Sequence, residues 1–329
     1  MMQLKSEKKQ LNIGGVIVNS VVALAPLAGI TDFVLRQLIR EYSKDCLLMT
    51  EMISSEALVQ RKDASITHTN EKEAPVSFQI EGHKPELMAR SAKILEEKAS
   101  IIDINMGCPI NKIVKGNDGC ALMKKPELAR DIVVAVKEAV NIPVTCKFRL
   151  GWGQDSKNFI EFAQLMQSAG ASAVTVHGRT RSQMYAGVAD WVEISKLRGK
   201  LDIPFIANGD IINPETALDC LEKSKADGIA IGRAAMGDLS LLYRCEKYIN
   251  DGVLIPEPSL AEKIKMLRRH LDMQIAFRGE DVGIKFFRKF YPSYIRNVRG
   301  GGDYRHRLVT ELDYNKIVSI LDEILLNAR

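Results

Sequence analysis

The sequence lacks the features that mark several classes of protein. It contains no uninterrupted apolar stretch near the roughly 20 residues of a membrane-spanning helix, and its N-terminal MMQLKSEKKQLN is charged where a secretory signal becomes apolar. The six cysteines include no C-x-x-C pair, which argues against structural zinc and a thioredoxin-type site. No Rossmann fingerprint is present. We therefore expect a cytoplasmic protein with reduced cysteines, no membrane association and no metal site.

The charge balance is only mildly basic. The 46 Lys and Arg residues against 41 Asp and Glu give a net charge of +5, which permits an anionic partner without requiring one. A hydrophobic content of 46% with 26% charged residues is typical of a globular protein with ample material for a core. The length of 329 residues suits one α/β barrel with an appendage.

Short apolar runs alternate with helical stretches along most of the chain. Each run ends in small or polar residues and is followed by helical periodicity, as in 85–98, 126–139 and 158–169. The runs begin at Val21, Cys46, Val76, Ile101, Val144, Ala173, Phe205 and Gly228. Eight strand–helix units in series predict an α/β fold, a TIM (β/α)8 barrel. A hairpin is predicted at 11–19 and is expected to close the bottom of the barrel.

The pattern changes at IPEPSL, residues 255–260, whose two prolines predict a linker. Only helical stretches follow, including apolar residues at helical spacing in 264–275 and a last helix from about Asn315. We predict two domains, a catalytic barrel at 1–253 and a small all-α domain at 254–329.

Polar residues at the C-terminal ends of barrel strands are candidates for an active site, because TIM barrels build their active sites there. Cys108 lies between Gly107 and Pro109, where the fourth strand ends and the turn exposes the thiol. A buried cysteine that acts as a small hydrophobe is the alternative. That structural role is the one we expect for four other cysteines, namely Cys46, Cys146, Cys220 and Cys245.

Two further candidates are a lysine and a histidine. Lys147 interrupts the fifth strand, where a charge that faces the barrel interior needs an anion or a reduced charge. A surface lysine is the alternative; the inward face is not settled, and Arg149 is assigned to the other face with Phe148. His177 ends the sixth strand near Arg179, at a rim position that favours function over a structural role.

The ends of the seventh and eighth strands predict a phosphorylated cofactor. ANGD at 207–210 and IGRAA at 231–235 combine glycine, which lets backbone N–H groups approach a ligand, with polar or cationic side chains. Loops after these two strands commonly bind phosphate in TIM barrels. Gln79, at the end of the third strand, is placed to offer its amide to a planar heterocycle.

Seven motifs occur in order through the barrel and together resemble the tRNA-dihydrouridine synthase family, most closely its bacterial B-type branch. They are APLAGITD, FQIEG, DINMGCP, TCKFRLGW, VHGRTR, ANGDI and IGRAAMG. The helical tail resembles the RNA-binding domain of that family. The resemblance implies an FMN enzyme that reduces the carbon–carbon double bond of uridines in RNA, with the tRNA D-loop as the expected substrate. NADPH or NADH would reduce the flavin in a transient encounter.

The resemblance also implies which residues form the site. Cys108 matches the catalytic cysteine. The residues expected to contact FMN are Pro26, Ala28, Gln79, Lys147, His177, Asn208, Gly209, Asp210, Gly232 and Arg233. A thiol with an ordinary pKa of about 8.5 is mostly protonated at neutral pH. Cys108 would therefore act as a general acid, which protonates the alkene carbon next to the one that receives hydride.

Basic residues in the tail are candidates for RNA binding. Residues 263–307 carry twelve Lys and Arg against four Asp and Glu, and the cations interleave with aromatic residues as on many nucleic-acid-binding surfaces. A solvated helix face is the alternative. Asn105 is expected to orient the uracil edge. The full set of predicted substrate or RNA contacts is Asn105, Lys112, Arg149, Arg179, Arg288, Arg296 and Arg299.

Other functions stay open at this point. An FMN barrel that acts on a free pyrimidine or enone would leave the basic tail without a role. A non-catalytic RNA-binding protein on a retained barrel would leave Cys108 and Lys147 without roles. The sequence does not separate transfer from ribosomal RNA, NADPH from NADH, or one oligomeric state from another, and it shows no evident obligatory protein partner.

Overall fold

A ring of parallel strands forms the barrel that the strand–helix pattern predicts. The computed structural model describes residues 9–61 and 67–327, so the charged N-terminal residues 1–8 lie outside the described part of the chain. The barrel strands in chain order are β3 (Val22–Leu24), β4 (Leu48–Met49) with its continuation β5 (Ile53–Ser54), β6 (Val76–Glu81), β7 (Ile101–Met106), β8 (Val144–Arg149), β9 (Ala173–His177), β10 (Phe205–Asn208) and β11 (Gly228–Ile231). Each of the eight predicted runs contains one of these strands, which confirms the fold.

The strands pair in the order β3-β11-β10-β9-β8-β7-β6-β4. The first and last strands are joined by a parallel bridge between Ala23 and Leu47, and Leu24 N donates to Leu47 O at 2.8 Å. The ring is thereby closed. Because every strand runs in the same direction, all the C-terminal ends meet at one rim.

Helices follow the strands, and the longer ones are amphipathic and cover the barrel. They are α1 (Phe33–Tyr42), α2 (Ser55–Arg61), α3 (Pro85–Leu95), α4 (Asn111–Lys115), α5 (Pro126–Ala139), α6 (Phe159–Ser168), α7 (Trp191–Ile194), α8 (Pro214–Ser224) and α9 (Leu241–Asp251). In α5 a proline occupies the first turn, where its missing N–H needs no partner. Its buried residues Ala129, Ile132, Val133 and Val136 recur at helical spacing and form the face that packs on the barrel.

The predicted hairpin lies at the opposite, N-terminal end of the barrel. It consists of β1 (Leu11–Ile13) and β2 (Val16–Val18), which pair antiparallel. Gly14 in its turn has a φ of 57°, and a Cβ there would lie 2.7 Å from Ser172 Oγ, just before β9. Glycine meets both demands, so the hairpin fits against the bottom of the barrel.

Helices alone follow the irregular segment 252–259. They are α10 (Leu260–Arg278), α11 (Glu280–Phe287), α12 (Tyr291–Tyr294), α13 (Gly301–Thr310) and α14 (Tyr314–Asn327). They pack on the barrel near α1, where Gln274 and Arg278 each donate to Asp32 Oδ2 at 2.8 Å. The division into domains at 253/254 stays a prediction. Within the described residues, no helix is both long and apolar enough to cross a membrane.

The aromatic residues of the tail form a core instead of a nucleic-acid surface. Phe287, Phe290, Tyr291 and Tyr294 are fully buried, and the first two pack against the buried ring of His270. The prediction that aromatic residues interleaved with cations mark an RNA surface is wrong for these four. Their helical spacing places them on the inner face, while the cations between them point outward.

Candidate active site

A cavity of about 970 Å³ opens at the C-terminal rim of the barrel. Fourteen of the predicted site residues line it, namely Pro26, Ala28, Gln79, Asn105, Cys108, Lys147, Arg149, His177, Asn208, Gly209, Asp210, Gly232, Arg233 and Arg296. Pro292, Ser293 and Asn297 line its outer part together with Arg296. The fold therefore brings the strand ends and the helical tail to one cavity, while the role of each residue there stays a prediction.

The turn that carries Cys108 is held by Asn105. The Oδ1 atom of Asn105 accepts hydrogen bonds from Gly107 N at 3.2 Å and from Cys108 N at 3.0 Å. A Cβ on Gly107 would lie 3.2 Å from both Lys147 O and Phe148 Cα, so glycine permits the close approach to β8. Cys108 itself is half-buried. Burial raises its pKa above the usual value, against a backbone N–H from Ile110 that lowers it. The thiol is thus protonated at neutral pH.

A chain of buried hydrogen bonds connects three strands to this turn. Thr145 Oγ1 donates to Asp103 Oδ1 at 2.6 Å, and Gln79 Nε2 donates to Asp103 Oδ2 at 2.7 Å. Asn105 Nδ2 then donates to Gln79 Oε1 at 2.7 Å. An ionised carboxylate only accepts, so Asp103 fixes the orientation of both amides. Burial raises the pKa of Asp103 to about 6, against the hydrogen bonds from Gln79 and Thr145, which lower it.

The hydrogen-bond chain adds two residues to the predicted site and limits the role of a third. Sequence reasoning missed Asp103 and Thr145; the available signal was an aspartate inside the apolar strand IIDINM. The expected contact of Asn105 with the uracil edge is restricted, because its Oδ1 and one amide N–H already bind within the protein and Nδ2 also lies 3.8 Å from Met52 Sδ. Its main contribution in the structure is to the position of Cys108.

Lys147 and Arg149 lie on the inward face of β8 and line the cavity. Phe148 between them is fully buried and packs on Phe162, with ring centroids 5.1 Å apart. The assignment of Arg149 to the face of Phe148 is therefore wrong, because alternate residues of a strand share a face. Burial and the Arg149 charge lower the pKa of Lys147 to about 8, with Asp103 opposing them.

Arg149 and Arg179 hold the loops at the rim. Arg149 donates to Gly107 O at 3.0 Å, Thr180 O at 3.0 Å and Met184 O at 2.7 Å. Arg179 is only 2% exposed, and its donors bind Ala186 O, Gly187 O and the Asp210 carboxylate. Arg149 is equally buried but lines the cavity, whereas Arg179 does not, so we correct the expectation of a direct RNA contact at Arg179: it stabilises the loop after β9.

His177 is buried beside three cations. Burial and the charges of Lys147, Arg149 and Arg179 hold its pKa well below the usual value, so the ring is neutral. Its Nε2 atom lies 3.3 Å from Arg179 Nη1. Because a guanidinium only donates, Nε2 is the acceptor and the proton is on Nδ1. His177 thus lines the cavity as a neutral ring with its proton on Nδ1.

The loops after β10 and β11 have room and charge for a phosphate. A Cβ on Gly209, at a φ of 120°, would lie 2.7 Å from Ala189 Cβ, whereas one on Gly232 would have no neighbour closer than 3.8 Å. The Arg233 side chain is 54% exposed and lies 3.5 Å from Asp210. The Asp210 carboxylate is already neutralised by Arg179 at 2.6 Å. The open space at Gly232, beside the accessible guanidinium of Arg233, fits a phosphate group.

Tyr185 is a cavity residue that sequence reasoning missed. It lies in the loop after β9 and is 46% exposed. The guanidinium carbons of Arg149 and Arg233 lie 5.6 and 5.0 Å from the centre of its ring. The only local signal was one aromatic residue in MYAG. The ring braces both arginines by cation–π contact.

The four predicted RNA contacts on α4 and in the helical tail differ in their surroundings. Arg299 and Lys112 are exposed, as is Arg296 at the cavity edge, while Arg288 is half-buried. Within residues 9–61 and 67–327, none of these four cations has an ion-pair partner. Six other tail cations are paired with carboxylates, namely Lys263, Arg268, Arg269, Arg278, Lys285 and Arg307. The fold therefore leaves only part of the basic tail available for phosphates.

Comparison with known proteins places the chain in a family. The family model described as "Dihydrouridine synthase (Dus)" matches residues 23–327. The chain belongs to the dihydrouridine synthase family. This confirms the resemblance found in the seven motifs, and it makes the protein an oxidoreductase.

Relatives in the dihydrouridine synthase family match nearly end to end. "Probable tRNA-dihydrouridine synthase 1" of Synechocystis sp. is 38% identical over 323 residues, which cover 98% of this chain and 91% of the relative. "tRNA-dihydrouridine synthase B" of Pseudomonas putida is 37% identical, covering 90% of this chain and 89% of the relative. A "Probable tRNA-dihydrouridine synthase" of Rickettsia conorii is 37% identical, with 90% of each covered.

Solved structures support the fold of this dihydrouridine synthase family member. Morphinone reductase in complex with tetrahydroNAD superposes with a TM-score of 0.51 at 12% identity, covering 78% of this chain and 93% of the reductase. An old yellow enzyme homologue from Zymomonas mobilis gives a TM-score of 0.52 at 11% identity, with 78% and 96% covered. At such low identity these likenesses concern the fold alone.

Proposed function

We propose that this protein reduces uridines in tRNA to 5,6-dihydrouridine in the cytoplasm, with FMN as its cofactor and NADPH or NADH as the reductant. The observation that carries the proposal is the protonated Cys108 thiol at the edge of a 970 Å³ cavity that also has cationic and amide groups. The relatives' names, which specify tRNA, favour tRNA over ribosomal RNA, and the D-loop is the part of tRNA we propose.

The residues present fit FMN at the strand ends. Gly232 leaves open space next to the Arg233 guanidinium, which suits the phosphate, with Asn208, Gly209 and Asp210 on the adjoining loop. Gln79 and Lys147 would contact the ring, with Pro26 and Ala28 at its border. FMN would supply the hydride to one alkene carbon of uracil. Lys147 carries its positive charge below a pKa of about 8 and would balance negative charge at that place.

Cys108 would supply the proton that the reduction also requires. The raised pKa keeps the proton on Sγ until the neighbouring ring carbon gains electron density and becomes basic. The Sγ–H bond then breaks, the proton goes to carbon, and Cys108 is left as a thiolate. Asn105 holds this thiol in place through the two backbone N–H groups of its turn.

His177 would not compete as an acid, because its pKa lies well below the usual value and its ring is neutral. The protonated Nδ1 would instead donate a hydrogen bond within the cavity. Arg149 is anchored to three carbonyl groups and would orient the substrate from a fixed position.

The substrate base must leave its stack to enter the cavity. Arg296 lies at the outer edge of the cavity, and Arg299 and Arg288 lie on the same helical tail. Because no ion pair uses these three cations within the described residues, they are available to RNA phosphates, with Lys112 of α4 as a further contact. These unpaired cations favour RNA over a free pyrimidine or enone as the substrate.

Three measurements test the proposed function. The purified protein should be yellow and release FMN on heating. With NADPH it should convert uridine to dihydrouridine in an unmodified tRNA transcript, while free uracil and orotate are not reduced. RNA from cells that lack the protein should lose dihydrouridine at one or more tRNA positions. Unchanged dihydrouridine in those cells, together with activity on free pyrimidines, would contradict the proposal.

A further inference from the structure

Glu81 is a buried carboxyl group that the proposed function does not use. It is the last residue of β6, it is 9% exposed, and its Oε2 atom is buried with no hydrogen-bond partner in the described residues. Burial of an unpartnered carboxylate is unfavourable unless the group takes up a proton. Burial and the charge of Asp118 raise the pKa of Glu81 to about 7, while Lys112 opposes them.

The position of Glu81 connects it to Cys108. The register of β6 and β7 pairs Ile80 with Ile104, so Glu81 runs beside the end of the strand that leads to the Cys108 turn. The negative charge of Glu81 also contributes to the raised pKa of Cys108. Within residues 9–61 and 67–327 no hydrogen bond joins the two side chains, so transfer between them requires a bridging water.

Glu81 also interacts electrostatically with a group that reaches the surface. The charge of Asp118 acts on Glu81, and Asp118 Oδ1 lies 2.8 Å from His83 Nδ1. The side chains of His83 and Asp118 are 33% and 20% exposed, respectively. The segment after Asp118 returns to the active site, where Cys120 N donates to Cys108 O at 3.1 Å. The partly exposed pair of His83 and Asp118 is thus connected through this segment to the turn of Cys108.

We propose that Glu81 returns a proton to Cys108 after each turnover, along a relay that begins in solvent at His83 and Asp118. This inference rests on the proposed function, in which Cys108 becomes a thiolate each time a uridine is reduced. An RNA that covers the cavity mouth would hinder proton return by that route. The relay offers a second entrance that does not pass through the substrate.

The relay conserves protons in each turnover. The Glu81 carboxyl loses its proton to a bridging water as that water protonates the Cys108 thiolate, which leaves a carboxylate and a thiol. The direction is favourable because the pKa of Cys108 is raised above its usual value while that of Glu81 is about 7. Solvent then reprotonates Glu81 through His83, Asp118 and a second bridging water, because no hydrogen bond joins Asp118 to Glu81 within the described residues. No electron transfer is involved.

The test is Glu81→Gln, which keeps the shape of the side chain but cannot release a proton. In the variant, flavin reduction by NADPH and the first turnover of pre-reduced enzyme should match the wild type. Later turnovers should slow by about tenfold to a hundredfold, since general acid–base groups contribute at least that much. Added imidazole should restore the rate. Glu86→Gln, which removes an exposed carboxyl of α3, is the matched control and should turn over normally.

The pH dependence gives an independent readout. The wild-type rate of later turnovers should fall as pH rises through about 7, because Glu81 must be protonated to act. The charged groups around it are Asp118, Lys112 and the His83 paired with Asp118, so Glu81→Gln should remove this fall while leaving those groups in place.

The outcomes separate the relay from the proposed function. If the wild type forms no dihydrouridine, the proposed function is wrong and the relay falls with it. If the wild type is active and Glu81→Gln has the same rate and pH profile, the relay is overturned while the function stands. A slow first turnover that imidazole does not restore would also overturn the relay, since it would show that Glu81 only positions Cys108.

Discussion

Replacement of Asn105 tests whether the buried hydrogen-bond chain positions Cys108. Asn105→Ala removes four hydrogen bonds: Oδ1 accepts from Gly107 N and Cys108 N, and Nδ2 donates to Gln79 Oε1 and, weakly at 3.8 Å, to Met52 Sδ. A hydrogen bond contributes about 1 kcal/mol net, and a buried donor left unpaired costs about 1–3 kcal/mol. We therefore expect the free energy of unfolding to fall by about 3 kcal/mol.

Asn105→Asp is the matched control for this prediction. It keeps an oxygen that accepts from both backbone N–H groups of the turn, but its second oxygen faces Gln79 Oε1 and must be protonated to keep that hydrogen bond. Because the turn keeps both of its hydrogen bonds, we expect a smaller decrease of about 1–2 kcal/mol, which shrinks further as pH falls and the new carboxyl takes up a proton. Both free energies come from urea unfolding with linear extrapolation.

Activity should follow the same order. A displacement of a reacting group by about 1 Å can cost on the order of a hundredfold in rate, so Asn105→Ala should form dihydrouridine far more slowly while NADPH still reduces its flavin normally. Asn105→Asp should retain more activity. If Asn105→Ala has the same midpoint of urea unfolding as the wild type and forms dihydrouridine at the same rate, the hydrogen-bond chain does not position Cys108.

Three further predictions concern the cofactor and the RNA. Arg233→Ala should purify with less FMN, measured by absorbance after heat release; full retention would contradict the phosphate assignment. FMN affinity, measured by titration, should decline as pH rises through about 8, where Lys147 loses its charge, and Lys147→Met should lack that step. Replacing Arg288, Arg296 and Arg299 together by alanine should weaken tRNA binding and flatten the dependence of affinity on salt concentration by about one phosphate contact per cation. The triple lysine variant should keep that dependence. An alanine variant with unchanged affinity and salt dependence would place the RNA footprint elsewhere.

The barrel could be predicted from the sequence because its signals are local. Each apolar run and each helical stretch can be recognised without knowledge of its neighbours, and their alternation determines the direction of the strands. Parallel strands bring their C-terminal ends to one rim, so a shared site for Cys108 and His177 could be predicted without any side-chain coordinates, whereas Lys147 joined that site only through the family resemblance. The hairpin at 11–19 was recognisable from its paired glycines.

The remaining details depend on contacts between distant segments. The chain from Thr145 through Asp103 and Gln79 requires the register of β6, β7 and β8, which a single sequence does not specify. In the sequence, Arg179 cannot be told from an arginine that is exposed after a strand. Only the fold shows that Asp210 and two carbonyl groups bind it.

The contacts of the helical tail also depend on distant segments and could not be predicted from the sequence. Its charge is visible in the sequence, but the division between paired and unpaired cations is not. Arg268 is paired with Asp322 and Arg269 with Glu41, and in each case the partner lies far away along the chain. The aromatic residues between the cations were misassigned for the same reason, since exposure depends on how the helices pack.

The most direct test of the central claim separates the two half-reactions in Cys108→Ala. Wild type and variant are reduced by NADPH without oxygen, an unmodified tRNA transcript is added, and dihydrouridine is quantified by mass spectrometry. If Cys108 is the proton donor, the variant binds FMN and is reduced at the wild-type rate, while dihydrouridine formation falls on the order of a hundredfold or more. Dihydrouridine formation near the wild-type rate, or slow flavin reduction in the variant, would contradict this role of Cys108.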